Sequence, residues 1–243
     1  SCNCNLKIKV MVKRRLVVLG GGESGVGAAV LGKKENYEVF VSDIGTITKK
    51  YKDVLLKESI LFEENKHTNE LILNADLVVK SPGIPETAPL IIELHEKEIS
   101  VISEIEFGSR YTEAIVVGIT GSNGKTTTSA LTYHMLKLSG LNVGLAGNIG
   151  NSFAWQVAKY DFDFYVLELS SFQLDGIINM KFDVSVLLNI TPDHLDRYGY
   201  DFNNYIDSKF RIIKNIDKKS VFIYNSDDDN IIDKLAHVTF PNK

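Results

Sequence analysis

Cysteine is nearly absent: of 243 residues only Cys2 and Cys4 carry a thiol, both within the first ten positions. A Cys-x-Cys without further ligands nearby is a poor metal site, and a cysteine-free body fits a reducing, cytoplasmic setting. No run of Lys and Arg interleaved with aromatics occurs, and the net charge is −4, so a nucleic-acid partner is not expected. The densest basic cluster, Lys13-Arg14-Arg15, directly precedes a strand pattern and reads as a solvated edge. No apolar stretch approaches the ~20 residues needed to cross a bilayer, so no membrane partner is expected either. Internal repeats and low-complexity tracts are lacking. The opening Ser1–Val10 stretch has no apolar signal-peptide core; residues 1–11 are expected to be a non-native or disordered leader, with Met11 as the natural start. What remains is an ordinary globular composition, 44% hydrophobic and 24% charged, long enough for two domains and expected to be monomeric.

Apolar runs alternate with amphipathic stretches along the whole chain. Strands are predicted at Leu16–Leu19, Glu38–Ser42, Leu77–Val79, Val101–Ile102, Ile115–Ile119, Val143–Ala146, Phe164–Leu169, Val184–Leu188 and Val221–Tyr224. This is the pattern of βαβ units and a mainly parallel sheet. Glycine-rich strand-to-helix turns near residues 20 and 121 point to two sheets, each with its own anion site. The break is expected in the short polar segment Phe107–Glu113, giving an α/β domain at 12–110 and a second at 111–243.

The second turn is the more informative. Ala114 to Thr128 reads as a buried strand, a tight loop and a helix start, with Lys125 aimed where phosphates would sit. Amides freed by Gly121 and Gly124, the positive helix end and the Lys125 ammonium make a cradle for a polyphosphate. The strict phosphate-loop spacing would put glycine at 119, where this chain has Ile119, so the match is a variant with glycines at 118, 121 and 124. The first turn, Gly20-Gly-Gly-Glu-Ser-Gly25, is a G-x-G-x-x-G following a strand, with Asp43 ending the next one at the spacing of a ribose-binding acid. Taken alone it fits NAD, FAD or another ligand with a pyrophosphate. Ser81 and Gly83, in a Ser-Pro-Gly turn after the next strand, either face the same ligand or merely fix the chain.

Three further signals fall downstream. Glu168, near the end of a buried strand, is placed to hold or orient Mg²⁺ on nucleotide phosphates, or else is paired structurally. His194, in Thr191-Pro-Asp-His194, is open to reading as a metal ligand, a base or a capped loop histidine. Lys209, on a predicted helix among other lysines, reads by periodicity as solvated.

Gly118-Ile-Thr-Gly-Ser-Asn-Gly-Lys-Thr-Thr127, Gly147-Asn-Ile-Gly150, Glu168-Leu-Ser-Ser-Phe-Gln-Leu174 and Thr191-Pro-Asp-His-Leu-Asp-Arg-Tyr198 with Lys209 together resemble the Mur ligases of peptidoglycan synthesis. The phosphate loop is shared across that superfamily, whereas Glu168–Leu174 is similar to the member that adds D-glutamate. The resemblance runs from about Val12 into the 220s and implies a Rossmann-like domain followed by an incomplete ATP-binding α/β domain. It implies ATP on Gly121, Ser122, Asn123, Gly124, Lys125, Thr126 and Thr127. It also implies Mg²⁺ held with Thr126, Glu168 and His194, and UDP-N-acetylmuramoyl-L-alanine against Ser24, Gly25, Asp43, Ser81, Gly83 and Asn148. Lys125, His194 and Lys209 would serve catalysis, Lys209 as a carbamoylated residue, with D-glutamate as the second substrate. The family's further stretch and third domain find no counterpart before Lys243, so the chain is expected not to ligate by itself. Two alternatives stand beside this reading: an NAD- or FAD-dependent oxidoreductase built on Gly20–Gly25 and Asp43, and a non-catalytic UDP-sugar-binding module.

Overall fold

A computed structural model describes residues 13–240; Cys2, Cys4 and the expected leader lie outside the described residues. The chain forms two parallel five-stranded sheets, each wrapped by helices. The first contains β1 (Arg15–Leu19), α1 (Glu23–Lys34), β2 (Glu38–Ser42), α2 (Lys49–Lys57), β3 (Leu61–Glu63), α3 (Asn69–Ile72), β4 (Leu77–Lys80), α4 (Pro89–Glu96), β5 (Val101–Ser103) and α5 (Glu104–Ser109). The second contains β6 (Ile115–Thr120), α6 (Lys125–Leu138), β7 (Val143–Gly147), α7 (Phe153–Lys159), β8 (Phe164–Glu168), α8 (Ser171–Asp175), β9 (Val184–Leu187), α9 (Phe202–Phe210), β10 (Val221–Tyr224) and α10 (Asp229–Leu235).

Central strands of parallel sheets are covered on both faces and therefore read as continuous apolar runs. Leu16, Val17, Val18 and Leu19 of β1 are all fully buried. The nine strands expected from such runs are present; the tenth, β3, is a three-residue piece at the sheet edge whose Leu61 is solvent-exposed.

Strand order fixes where ligands can sit. The first sheet runs β3-β2-β1-β4-β5 and the second β10-β9-β6-β8-β7. In each, the chain leaves the first strand toward one side and later returns to pair on its other side. The loops beyond the carboxyl ends diverge there and open a crevice. For β1 and β4 the crevice lies between the Gly20 and Ser81 turns. For β6, flanked by β8 and β9, it lies over the loop at Gly121.

The two sheets are joined by helices. α1 and α5 both pack on α7, and the approach is so close that a Cβ on Gly27 would overlap the Ser152 hydroxyl. Glu104, buried at the start of α5, accepts from Ser152 Oγ and from the Ala154 N–H, both at 2.6 Å. Glu23 accepts from the Ser152 N–H at 3.2 Å. Of the polar segment expected to separate the domains, residues 107–109 belong to α5, and Phe107 is fully buried edge-on against Tyr37 and Tyr111. The chain passes between the sheets at 110–114.

Candidate active site at the carboxyl ends of the sheets

The loop after β6 turns through two positions that suit glycine. Gly121 has φ 155° and Gly124, the N-cap of α6, has φ 81°. The first helical turn leaves the N–H groups of Lys125, Thr126 and Thr127 without intrahelical partners, so the helix presents donors and its positive end at this point. Lys125 folds back over the loop, its Nζ donating to Gly121 O and Ser122 O at 2.9 Å each. Ser122 and Asn123 are engaged differently from the expected phosphate contact. The Ser122 N–H donates to Asn189 O and the Asn123 N–H to Asn189 Oδ1, while the Asn189 amide donates to Asn123 O. The Ser122 hydroxyl is bonded to both the N–H and the carbonyl of Thr191. These two residues therefore splint the loop to the segment after β9, and Asn189 is a positioning residue that motif reading passed over. Its signal was its place, immediately beyond a strand end that borders the crevice.

Lys209 departs from the solvated position that its periodicity suggested. It is 2% exposed, and its Nζ donates to Gly121 O at 3.0 Å and Thr120 Oγ1 at 3.3 Å. The reason lies in α9 itself: Phe202, Tyr205, Ile206 and Phe210 define an inward face, and Lys209 falls at helical spacing on it. Tyr205, also unremarked from sequence, supports this arrangement. Its ring lies 5.3 Å from the Lys209 Nζ and its hydroxyl is 3.1 Å from Ser122 Oγ. Burial, and then the neighbouring charge of Lys125, push the Lys209 amine down to about 7.

Glu168 ends β8 beside the same loop. Its Oε1 accepts from Asn148 Nδ2 at 2.8 Å, and the Asn148 N–H donates to its carbonyl at the same distance. Oε2 is buried without a partner. An unpaired carboxylate oxygen beside two lysines that bond only to neutral oxygens fits a divalent cation carried in with a polyanion. Among the described residues no three His, Cys, Asp or Glu side chains gather into a metal site, so such an ion would draw on phosphate oxygens and water beside a single carboxylate. His194 sits in left-handed backbone (φ 49°), half exposed, with its ring 5.2 Å from that of Phe172. Thr126 lies in the first turn of α6.

A second opening, about 580 Å³, lies in the crevice of the first sheet and is lined by Gly20, Asp43, Ser81 and Gly83 together with Ile44 and His67. Four residues singled out from the sequence thus line one opening. Asp43 is oriented by two backbone donors, Gly21 N–H at 2.6 Å and Gly45 N–H at 2.7 Å. Ser24 and Gly25 stand to one side, in the first turn of α1. A Cβ on Gly25 would overlap the Gly20 carbonyl, so its glycine serves close helix-to-strand packing.

Comparison with known proteins supplies a family. Residues 119–241, about half of the chain, match the family model described as Mur ligase middle domain, and residues 15–89 match the MurD N-terminal domain. The chain belongs to the Mur ligases. Among its Mur ligase relatives, UDP-N-acetylmuramoylalanine--D-glutamate ligase of Christiangramia forsetii is 57% identical over 222 residues, covering 91% of this chain and 50% of that protein. The protein of the same name from Porphyromonas gingivalis strain W83 is 54% identical over 217 residues, 89% of this chain and 48% of its own. The chain spans about half the length of the curated relatives it matches. In fold it is similar to the UDP-N-acetylmuramate:L-alanyl-gamma-D-glutamyl-meso-diaminopimelate ligase of Neisseria meningitides (TM-score 0.68, 18% identity, covering 95% of this chain and 76% of that one). MurC from Thermotoga maritima aligns with a TM-score of 0.57 at 19% identity, over 89% and 50% of the two chains.

Proposed function

We propose that this chain supplies the substrate- and ATP-binding parts of a cytoplasmic, monomeric ligase that joins D-glutamate to UDP-N-acetylmuramoyl-L-alanine. The observation that carries the proposal is the convergence of Lys125, Lys209 and the unpaired Glu168 oxygen on one glycine-lined loop. Like charges so placed are unfavourable unless a polyanion and its cation are the intended occupants. The names borne by relatives at 53–58% identity support D-glutamate as the amine donor.

A carboxylate is a poor electrophile. Transfer of the ATP γ-phosphoryl group to the L-alanyl carboxylate would release ADP and leave an acyl phosphate. Attack by the D-glutamate amine on that carbonyl then forms the amide, and inorganic phosphate departs. Lys125 and the first-turn N–H groups of α6 would stabilise negative charge gathering on the transferred phosphoryl oxygens. Mg²⁺, when bound, would neutralise the repulsion between the two anions, with Glu168, Thr126 and His194 as the side chains available to hold it. Asn148 keeps Glu168 oriented with one oxygen free. Lys209, whose amine burial pushes down to about 7, is suited to react with carbon dioxide as the resemblance implies. The Gly20 turn and Asp43 would hold the uridine diphosphate, its phosphates at the α1 N-terminus.

Calorimetric titration of the 243-residue chain tests this directly. Heat is expected for ATP with Mg²⁺ and, independently, for UDP-N-acetylmuramoyl-L-alanine. Lys125→Ala should remove the first and spare the second; ATP binding of undiminished affinity in that variant would refute the role given to Lys125.

A further inference from the structure

The cleft in the first sheet contains a histidine that neither the glycine turn nor the family resemblance explains. The inference begins at Glu63, buried at the end of β3. Its Oε1 accepts from the Thr68 N–H at 2.8 Å and from Ser42 Oγ at 2.7 Å, and its Oε2 accepts from the Thr68 hydroxyl at 2.6 Å. Burial raises its carboxyl, but these donors together with Lys66 outweigh burial and hold it below the ordinary carboxylate range. Ionised, Glu63 only accepts.

The single hydroxyl proton of Ser42 is therefore committed to Glu63; the Lys66 carbonyl, at 3.5 Å, is the more distant alternative. His67 Nδ1 lies 2.7 Å from that same Ser42 oxygen. With the hydroxyl proton spent, this contact holds only if Nδ1–H is the donor. The tautomer is thereby fixed, and the neutral ring is left with Nε2 as an acceptor on its far side. His67 lines the cleft together with Asp43 and Ile44.

Position says which part of a ligand that acceptor meets. α1 begins at the end of β1 and would take a diphosphate at its N-terminus. Asp43 follows β2 and His67 follows β3, successively farther out along the sheet, toward the nucleoside end. We propose that His67 is a specificity-determining residue whose Nε2 accepts a hydrogen bond from the nucleoside of the uridylyl ligand, either from the base N3–H or from the ribose 2′-hydroxyl. The assignment rests on the reading of this cleft as the uridine diphosphate site.

The test is calorimetric titration of the chain, in mildly alkaline buffer, with UDP, 3-methyluridine diphosphate and 2′-deoxyuridine diphosphate. Wild type is compared with His67→Phe, and with His67→Gln as a variant that keeps an acceptor. His67→Phe should weaken UDP binding about tenfold, the worth of one neutral hydrogen bond, and His67→Gln less. One of the two analogues should weaken wild-type binding by a similar factor and cost nothing further in His67→Phe. Unchanged UDP affinity in His67→Phe, or analogue losses as large in that variant as in wild type, would overturn the role of His67 while leaving the cleft assignment standing. Absence of UDP binding to wild type would instead overturn the cleft assignment itself.

Discussion

Glu104 links the two sheets, and its ionisation should be visible in stability. Its carboxyl is buried, and burial, opposed by donors from Ser152, Ala154 and Phe153 and reinforced by the charge of Glu23, raises it from 4.5 to about 7. In the unfolded chain the proton leaves near 4.5, so between these values the folded state binds more protons and stability falls as pH rises. The contribution is fully present below pH 4.5 and is lost as pH passes 7; the displacement is worth at most roughly 3 kcal/mol. Glu104→Gln keeps an acceptor for the Ser152 hydroxyl and the Ala154 N–H but brings an amide NH2 toward the Phe153 N–H. A pH-independent penalty of about 1–3 kcal/mol is therefore expected. The discriminating quantity is the slope. Urea denaturation at successive pH values from 4.5 to 7.5 should give a wild-type stability that declines relative to the variant's by about 2–3 kcal/mol. Parallel curves for the two proteins would refute the buried, protonated carboxyl.

Two further substitutions probe the sites themselves. Gly25→Ala drives a methyl into the Gly20 carbonyl, and urea denaturation should register a loss of about 3 kcal/mol or more, with no stable compensation from a shifted α1. Lys209→Met removes an amine whose folded value lies near 7 against 10.5 unfolded; wild-type stability should rise between those pH values by up to roughly 5 kcal/mol, and the methionine variant should show no such rise when urea denaturation is carried across that higher pH range.

Strand positions were legible because parallel sheets bury both faces of their central strands and leave an apolar run, as in Leu16–Leu19. β3 escaped although Ile60–Phe62 is an apolar run, whereas β5, equally short at the opposite edge, was found; length alone does not separate them. Loop chemistry was legible where a residue type has few other uses: Gly121, Gly124 and Lys125 fall together, and Asp43, Ser81 and Gly83 meet around one cleft. It was illegible where the role depends on a partner distant in sequence. Asn189 matters through Asn123, Tyr205 through Ser122, and His67 through Ser42 and Glu63. Ser122 and Gly25, expected at ligands, also serve the scaffold: the Ser122 hydroxyl is bonded at Thr191, and Gly25 allows close packing on the Gly20 carbonyl. Lys209 was misjudged for a different reason: charge argued for solvent while its helical neighbours argued for the interior, and packing decided.

Why an amine should be buried there at all is a question of field rather than of hydrogen bonds. Gly121 O, Thr120 Oγ1 and the Tyr205 ring each favour an ammonium at Lys209, and yet its proton affinity is depressed, because desolvation and the Lys125 charge act in the opposite direction. A second cation in this position would simply weaken the first, since both donate to the Gly121 carbonyl. If Lys209 adds carbon dioxide and releases a proton, a site that repels Lys125 becomes one that attracts it. A carboxylate then stands near Glu168, whose own second oxygen is unpaired. On the proposed reading, the depressed amine would suit that reaction, and the reversed charge would suit a divalent ion after it.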